Sequence, residues 1–194
     1  MPARVGILAI QGDVEAHATA LAAAGAEAVQ VLREKDLDGL AGLILPGGES
    51  TTISKGMDRL GLWEPVREFA ASGRPVLGTC AGAILLARET VHHPVPTLGL
   101  LDAVAVRNAY GTQVDSFAAP VDPGARHDLE GLRCVFIRAP QLEQLGPGVE
   151  VYARVDGRPV LVRQANLWAA TFHPELTADP RIHQLLLPPP GQLT

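Results

Sequence analysis

The chain is poor in cysteine and in positive charge, and each shortage excludes a class of protein. Two cysteines, Cys80 and Cys134, are too few for a disulfide framework or a cysteine-rich zinc site. The formal net charge of −5, from 16 basic and 21 acidic residues, argues against a general nucleic-acid-binding surface. No apolar run approaches a membrane span, which needs about 20 residues. The first residues have no signal-peptide pattern, so we expect a cytoplasmic protein with reduced thiols.

The rest of the composition is that of a globular protein. Hydrophobic residues make up 47% of the 194 residues, and charged residues make up 19%. Short apolar runs alternate with helical patterns in the first half, which predicts a parallel sheet with right-handed helical crossovers. The second half has mostly strand-like runs separated by turn residues, which predicts added antiparallel strands. We expect residues 1–194 to form a single α/β domain.

The predicted elements can be placed along the chain. Strands are expected at residues 5–10, 28–32, 42–45, 75–77, 103–106, 134–137, 149–152, 159–162 and 167–172. Helices are expected at residues 14–24, 50–60, 64–71 and 179–187, with another that begins near residue 83. Asp13 is a plausible cap of the first helix, and Asp156 with Gly157 is typical of a hairpin turn.

The sequence Gly78-Thr79-Cys80-Ala81-Gly82 is the most informative stretch of the chain. It separates a strand-like apolar run from a helix-like one, and G-x-C-x-G in that position is the cysteine form of a nucleophile elbow. Glycines on both sides suit a turn that is too tight for side chains. The turn would present the thiol at the carboxyl edge of the sheet, near a helix N-terminus that favours thiolate. The alternative is a buried, unreactive cysteine.

A cysteine nucleophile needs a base, and His173 in the sequence Phe172-His173-Pro174-Glu175 is the best candidate. Pro174 biases His173 towards extended backbone, in which residues two apart point the same way. Glu175 could then hold the imidazole in one tautomer and stabilise its charged form. The alternative is an exposed turn with a solvated glutamate, but the cysteine elbow favours a triad.

The other histidines are weaker candidates for the base. His17, on the first predicted helix, suits a surface or interface position. His92 and His93 lie in a proline-rich loop that has no carboxylate or cysteine cluster to complete a metal site. His127 and His183 are expected to be peripheral.

Two glycines, Gly47 and Gly48, follow the third predicted strand in the segment 46–52. Their backbone N–H groups could turn towards a ligand and stabilise a tetrahedral oxyanion. The segment is not a phosphate-binding loop, because the Gly-Lys-Ser/Thr element is missing. A plain glycine turn followed by a serine or threonine helix cap is the alternative, and it is compatible with the oxyanion role.

These segments together resemble class I (triad-type) glutamine amidotransferases, and in particular the glutaminase subunits of pyridoxal 5'-phosphate synthases. The similarity runs from about residue 5 to residue 187. The segments that carry it are 6–12, 45–52, 78–82, 107–108, 114–117, 136–140 and 172–177. Each segment is modest alone, but their combination and order are specific.

The resemblance implies a three-layer, flavodoxin-like α/β fold with a mostly parallel sheet, helices on both faces and added antiparallel strands. It implies hydrolysis of L-glutamine to L-glutamate and ammonia by Cys80, His173 and Glu175, with no metal or organic cofactor. The ammonia would pass to a separate (β/α)8-barrel synthase subunit in a hetero-oligomeric complex. Contacts with glutamine and its oxyanion would come from Gly47, Gly48, Glu49, Ser50, Ala81, Arg107, Ile137 and Arg138.

Gln11 and His17 are the expected contacts with the synthase, since both follow the first strand at the carboxyl edge of the sheet. Three alternatives to this function stay open. One is another glutaminase, such as that of imidazole glycerol phosphate synthesis, although segments 46–52 and 136–140 speak against it. The others are a cysteine hydrolase or peptidase on a related sheet, and a non-catalytic scaffold that only docks on a synthase.

Overall fold

The computed structural model describes residues 1–107, 116–124 and 127–188. Its strands are β1 (Arg4–Leu8), β2 (Glu27–Val31), β3 (Gly42–Leu45), β4 (Val76–Thr79), β5 (Ala87–Val91), β6 (Leu101–Val106), β7 (Ser116–Pro120), β8 (Arg133–Ile137), β9 (Gln141–Glu143), β10 (Glu150–Val155), β11 (Arg158–Gln164) and β12 (Leu167–Ala170). Its helices are α1 (Val14–Ala23), α2 (Ser50–Leu60), α3 (Trp63–Ala71), α4 (Ala81–Leu86) and α5 (Arg181–Gln184). Asn108, Val114 and Asp115, which belong to segments that carry the resemblance, lie outside the described residues.

A seven-stranded sheet in the order β10-β11-β12-β4-β3-β1-β2 forms the middle of the structure. The strands from β12 to β2 are parallel, and β10 and β11 add an antiparallel hairpin at one edge. The hairpin turn has Asp156 at φ 50° and Gly157 at φ 76°, the left-handed conformation that such turns need. The predicted turn at these two residues is confirmed.

Hydrophobic cores on both faces of the sheet give three layers. In β3, Leu43 and Leu45 belong to the core that includes α2, α3 and α4, whereas Ile44 belongs to the core that includes α1 and α5. The small sheet β5-β6-β9 contributes to the first core and the hairpin β7-β8 to the second. All three β3 side chains are fully buried, and each such burial contributes roughly 1.5–3 kcal/mol. The predicted three-layer α/β fold with added antiparallel strands is confirmed.

Some elements differ from the predictions for local reasons. β5, β7 and β9 were not predicted: β5 and β9 contain charged or polar residues in place of an apolar run, and β7 consists mainly of alanine and proline, which strands disfavour. The last helix, α5, is shorter than the predicted range 179–187. The N–H groups of Leu185, Leu186 and Leu187 bond to carbonyls three residues earlier, so the chain tightens before Pro188. Among the described residues, no helix has both the length and the apolar character needed to cross a membrane.

Candidate active site

Four neighbouring parallel strands end at one edge of the sheet, and each end carries part of a single site. The segments after β1, β3, β4 and β12 hold Gln11, Gly48, Cys80 and His173, in that order. Open α/β sheets bind ligands outside this carboxyl edge. The strand order therefore brings together residues that are distant in the sequence.

Cys80 lies in a strained turn between β4 and α4. Its backbone angles, φ 48° and ψ −102°, are unusual for a residue with a side chain, and such strain costs on the order of 1–3 kcal/mol. A Cβ at Gly78 would lie 2.5 Å from the backbone of Gly82, and a Cβ at Gly82 would clash with the carbonyl oxygen of Leu45. The structure thus has the strand-turn-helix geometry that a nucleophile elbow requires, and both flanking glycines are needed for it.

His173 and Glu175 form a hydrogen-bonded pair, with Nδ1 of the ring 2.7 Å from Oε1 of the carboxylate. The pairing was predicted, but its backbone geometry was not. Residues Pro174–Leu176 form a 3-10 turn rather than an extension of β12, so the glutamate folds back to the ring. Burial opposes a charge on His173, but contacts with Cys80 and Glu175 outweigh it and raise the pKa of the imidazole to about 10. The ring is therefore charged at neutral pH.

The glycine loop after β3 packs directly against this pair. A Cβ at Gly47 would lie 2.5 Å from Cε1 of the His173 ring and 3.4 Å from Cβ of Cys80. Gly48 has φ 145°, which a residue with a side chain rarely adopts. The two glycines therefore allow the backbone to approach the thiol and the imidazole.

Gln11 connects the loop after β1 to the glycine loop. Its side-chain Oε1 accepts a hydrogen bond from the backbone N–H of Glu49 at 2.8 Å. The carbonyl oxygen of Gly47 lies so close to Gly12 that a Cβ there would clash with it. The β1 loop therefore contacts both the Gly47–Gly48 peptide and the residue that follows it.

Glu49, rather than a serine or threonine, caps helix α2. Its carboxylate accepts hydrogen bonds from the backbone N–H groups of Thr51 and Thr52 at 3.2 and 2.8 Å. Partial burial raises the pKa of Glu49, but the Thr52 hydroxyl, which also donates to the carboxylate, and these backbone N–H groups outweigh it and lower the pKa below its usual value. Nη2 of Arg107 lies 3.5 Å from the same carboxylate. The serine or threonine cap that the alternative interpretation of this loop included is therefore not formed, and the glutamate is held ionised.

A cleft of about 450 Å³ contains the thiol and the imidazole, within the roughly 300–1,000 Å³ of small-molecule sites. Besides Cys80 and His173, its lining includes every residue of the expected glutamine and oxyanion set apart from Gly47: Gly48, Glu49, Ser50, Ala81, Arg107, Ile137 and Arg138. The lining carries both basic and acidic side chains. This mixture is suited to the ammonium and carboxylate groups of a free amino acid.

Asp13 is a part of this cleft that the sequence analysis missed. Its side chain makes no capping hydrogen bond to α1, contrary to the prediction. It is exposed and lines the cleft, and its carboxylate lies within 4.8 Å of ligand atoms of His173 and Glu175. The only signal in the sequence was its position directly after Gly12 and the first strand.

The structure contradicts the expected positions of two histidines. His17 is fully buried and so cannot be a surface contact with a partner, and His183 is fully buried instead of peripheral. Nδ1 of His17 lies 3.0 Å from Nε2 of His183, because α1 packs against both α5 and the turn that holds Glu175. Of the two predicted interface residues, only Gln11 is exposed.

The buried histidine pair should make the protein less stable in mild acid. Burial lowers the pKa of His183 to about 4, and burial together with His183 and His173 lowers the pKa of His17 well below 6.5. Between about pH 6.5 and 4, the unfolded chain therefore binds protons that the folded protein excludes, and the free energy of unfolding falls as pH falls. His183 adds a slope of up to about 1.4 kcal/mol per pH unit in this window, and His17 adds to it in the same direction.

Urea unfolding of the wild type and of His183→Gln at several pH values measures this slope. In His183→Gln the free energy of unfolding should depend less steeply on pH, by about the contribution of one histidine. An equal slope in both proteins would mean that His183 takes up its proton in the folded state.

The chain is similar to solved structures along nearly its whole length. One, described as a crystal structure of glutamine amidotransferase, is 49% identical with a TM-score of 0.88, covering 94% of this chain and 96% of that chain. A structure of PurLQS from Thermotoga maritima is 18% identical with a TM-score of 0.72, covering 96% of this chain and 98% of that chain. The second likeness shows a shared fold.

Sequence relatives agree with the first structure. A pyridoxal 5'-phosphate synthase subunit PdxT from Thermus thermophilus is 52% identical over 185 residues, covering 94% of this chain and 95% of that protein. A PdxT subunit from Moorella thermoacetica is 47% identical over 184 residues, covering 95% and 97%. The model of the SNO glutamine amidotransferase family matches residues 7–188. A match of this extent, on a chain whose candidate site contains a strained cysteine elbow, shows that the chain belongs to the SNO glutamine amidotransferase family.

Proposed function

We propose that the chain is the glutaminase subunit of a pyridoxal 5'-phosphate synthase, folded as one domain over residues 1–194. It hydrolyses L-glutamine and delivers the ammonia to a (β/α)8-barrel synthase subunit. One observation carries the proposal. Cys80, on its strained turn, lines the same cleft as His173, whose imidazole is paired with Glu175. The names of the PdxT relatives support the synthase as partner.

The first half of the reaction forms a thioester. The sulfur of Cys80 attacks the side-chain amide carbon of glutamine, and the C=O electron pair moves to the oxygen. Backbone N–H groups at Gly48 and Ala81 stabilise that oxyanion. The oxyanion then reforms the carbonyl, the C–N bond breaks, and the imidazolium of His173 gives its proton to the departing nitrogen, which leaves as ammonia.

The second half releases glutamate. Water attacks the thioester carbon while the neutral ring of His173 takes a proton from it. The C–S bond then breaks, and the products are glutamate and the restored cysteine. Glu175 keeps Nδ1 of the ring protonated, so that Nε2 is the nitrogen that exchanges protons in both halves. These steps use only groups of the protein, glutamine and water.

Charges around the cleft would orient the free amino acid. Arg107 and Arg138 can face the α-carboxylate, and Glu49 can face the α-ammonium group, since all three line the cleft with the thiol. Glu49 is already held ionised by the N-terminus of α2. A glutamine residue inside a peptide has neither a free α-carboxylate nor a free α-ammonium group. The arrangement therefore favours free glutamine over the substrates of a peptidase.

Docking of the synthase would switch on the oxyanion site. The Gly47–Gly48 peptide can rotate at little steric cost, because neither residue has a Cβ. Its carbonyl oxygen lies against Gly12, and the neighbouring Glu49 N–H is held by the exposed Gln11. A partner that binds at Gln11 therefore acts on the loop that supplies the Gly48 N–H.

We expect the synthase to raise glutaminase activity at least about tenfold, which corresponds to roughly 1.4 kcal/mol in the barrier. The test measures initial rates of ammonia release against added synthase. Gln11→Ala should weaken the activation without unfolding the protein. The matched control is Glu27→Gln. Glu27 is exposed and is the first residue of β2, so it lies at the amino ends of the parallel strands, away from Gln11. A flat response despite demonstrated complex formation contradicts the switch, and inactivity of the complex with glutamine favours a non-catalytic scaffold.

A further inference from the structure

A buried chain of polar side chains extends behind the candidate triad, away from the cleft. Oε1 of Glu175 is occupied by His173. Oε2 accepts no hydrogen bond from the described residues, and Nε2 of His17 lies 3.5 Å from it. His17 in turn contacts His183, through Nδ1 and Nε2 at 3.0 Å, and Oγ1 of Thr79 at 3.3 Å. The side chains of His17, His183 and Thr79 belong to fully buried residues.

Both outer histidines are neutral, so each has one ring N–H to place. Burial lowers the pKa of His183 to about 4 and contributes most to the lowered pKa of His17. The bond between the two rings needs one donor and one acceptor. Two arrangements are possible, and they differ in which nitrogen of His17 faces the carboxylate.

In the first arrangement, Nδ1–H of His17 donates to His183. The bare Nε2 lone pair of His17 then faces the carboxylate oxygen of Glu175, which is repulsive. Nδ1 of His183 must also carry a buried proton, and that atom has no hydrogen-bond partner in the described part of the chain. A buried donor without an acceptor is unfavourable, because it has lost its hydrogen bond to water and gained none in the protein.

In the second arrangement, Nε2–H of His183 donates to Nδ1 of His17. Nε2–H of His17 then points to the region between Oε2 of Glu175 and Oγ1 of Thr79, which are both acceptors. The orphaned nitrogen of His183 is now an acceptor, and neither histidine ring keeps a buried N–H that lacks an acceptor. Electrostatics and hydrogen-bond satisfaction both favour this arrangement.

We propose that His17 is a positioning residue for the triad: its Nε2–H, directed by His183, holds the second oxygen of Glu175 and so keeps the first oxygen on His173. The inference rests on the proposed function, because it assigns a task within the same reaction. Glu175 has few other ways to satisfy Oε2, since its side chain is fully buried. Loss of His17 removes the ring N–H that lies 3.5 Å from Oε2, so the carboxylate loses an electrostatic partner and rotation away from His173 becomes easier.

Kinetics of two substitutions at His17, measured with the synthase present, test the role. His17→Leu removes the donor, and kcat should fall on the order of 10–100-fold, the size of loss that follows removal of the hydrogen-bond partners of metal-binding side chains. KM should change less than about threefold, because the residue does not line the cleft. His17→Gln places an amide N–H near the position of Nε2 and should recover a large part of kcat.

A double-mutant cycle separates positioning from a merely structural role. In a Glu175→Gln background, His17→Leu should lower kcat less than about twofold, because the carboxylate that it serves is gone. An equal loss in both backgrounds, or a wild-type kcat in His17→Leu with an unchanged melting temperature, overturns the inference. Ammonia release by the wild-type complex is the reference: if it is absent, the proposed function itself fails.

The tautomer can be read directly by NMR on protein with 15N-labelled histidine. His17 should be neutral with its proton on Nε2, and His17→Gln identifies its signals. His183→Leu should let a part of the His17 population carry its proton on Nδ1, because the directing donor is removed while the Glu175 carboxylate still favours Nε2–H. A proton on Nδ1 of His17 in the wild type overturns the inference, even where a variant folds too poorly for kinetics.

Discussion

Cys80→Ala should reduce ammonia release from glutamine by about 10⁴-fold or more, to background, in the isolated protein and in the complex. Loss of a nucleophile removes the covalent route, and comparable losses in hydrolases reach about 10⁶-fold. The fold should persist, because the thiol lies at the edge of a cleft and its removal leaves no core cavity. Ammonia release and thermal unfolding of the same preparation check both halves of this expectation.

Cys134 supplies the matched control, because it is the second thiol of the chain. It is fully buried in β8, and burial, reinforced by Asp179, raises the pKa of its thiol to about 12. A glutamine-analogue electrophile should label Cys80 and leave Cys134 unmodified. Cys134→Ala should keep its activity. Labelling at Cys134, or turnover by Cys80→Ala, would refute the assignment of the nucleophile.

The parts of the site that the sequence predicted are those with a local geometric signature. Gly78 and Gly82 flank Cys80 because the turn leaves no space for side chains at these two positions. The requirement is therefore visible within five consecutive residues of the sequence. The glycine pair after β3 is visible for the same reason. The pairing of His173 with Glu175 was also predictable from their spacing, although the 3-10 turn that achieves it was not.

The parts that the sequence did not predict depend on packing between distant elements. Helix α1 is rich in alanine, so its pattern of apolar and polar residues does not show which face is buried. The helix packs against β1, β2, α5 and the turn that holds Glu175, and His17 is enclosed among them. His183 meets it only because α5 returns to the same face of the sheet 166 residues later. Neither histidine has a neighbour in sequence that would reveal the contact.

His173→Asn and Glu175→Gln should lower kcat by clearly different amounts. The first removes the nitrogen that exchanges protons with sulfur, ammonia and water, and should remove nearly all turnover, about 10³-fold or more. The second leaves the thiol and imidazole in place and removes only the partner of Nδ1, so its cost should be smaller by at least about tenfold. Steady-state assays with the synthase present measure both, with Glu130→Gln, an exposed glutamate, as control.

The pH profile distinguishes an orienting carboxylate from one that is merely buried. Burial lowers the pKa of His173, and the contacts with Cys80 and Glu175 more than offset it, giving a value of about 10. Loss of the negative charge in Glu175→Gln removes one of the contributions that raise this pKa. The ring then loses its proton at a lower pH, and the alkaline limb of the kcat/KM profile should shift to lower pH. A variant with a wild-type rate and an unmoved alkaline limb would show that Glu175 does not act on His173.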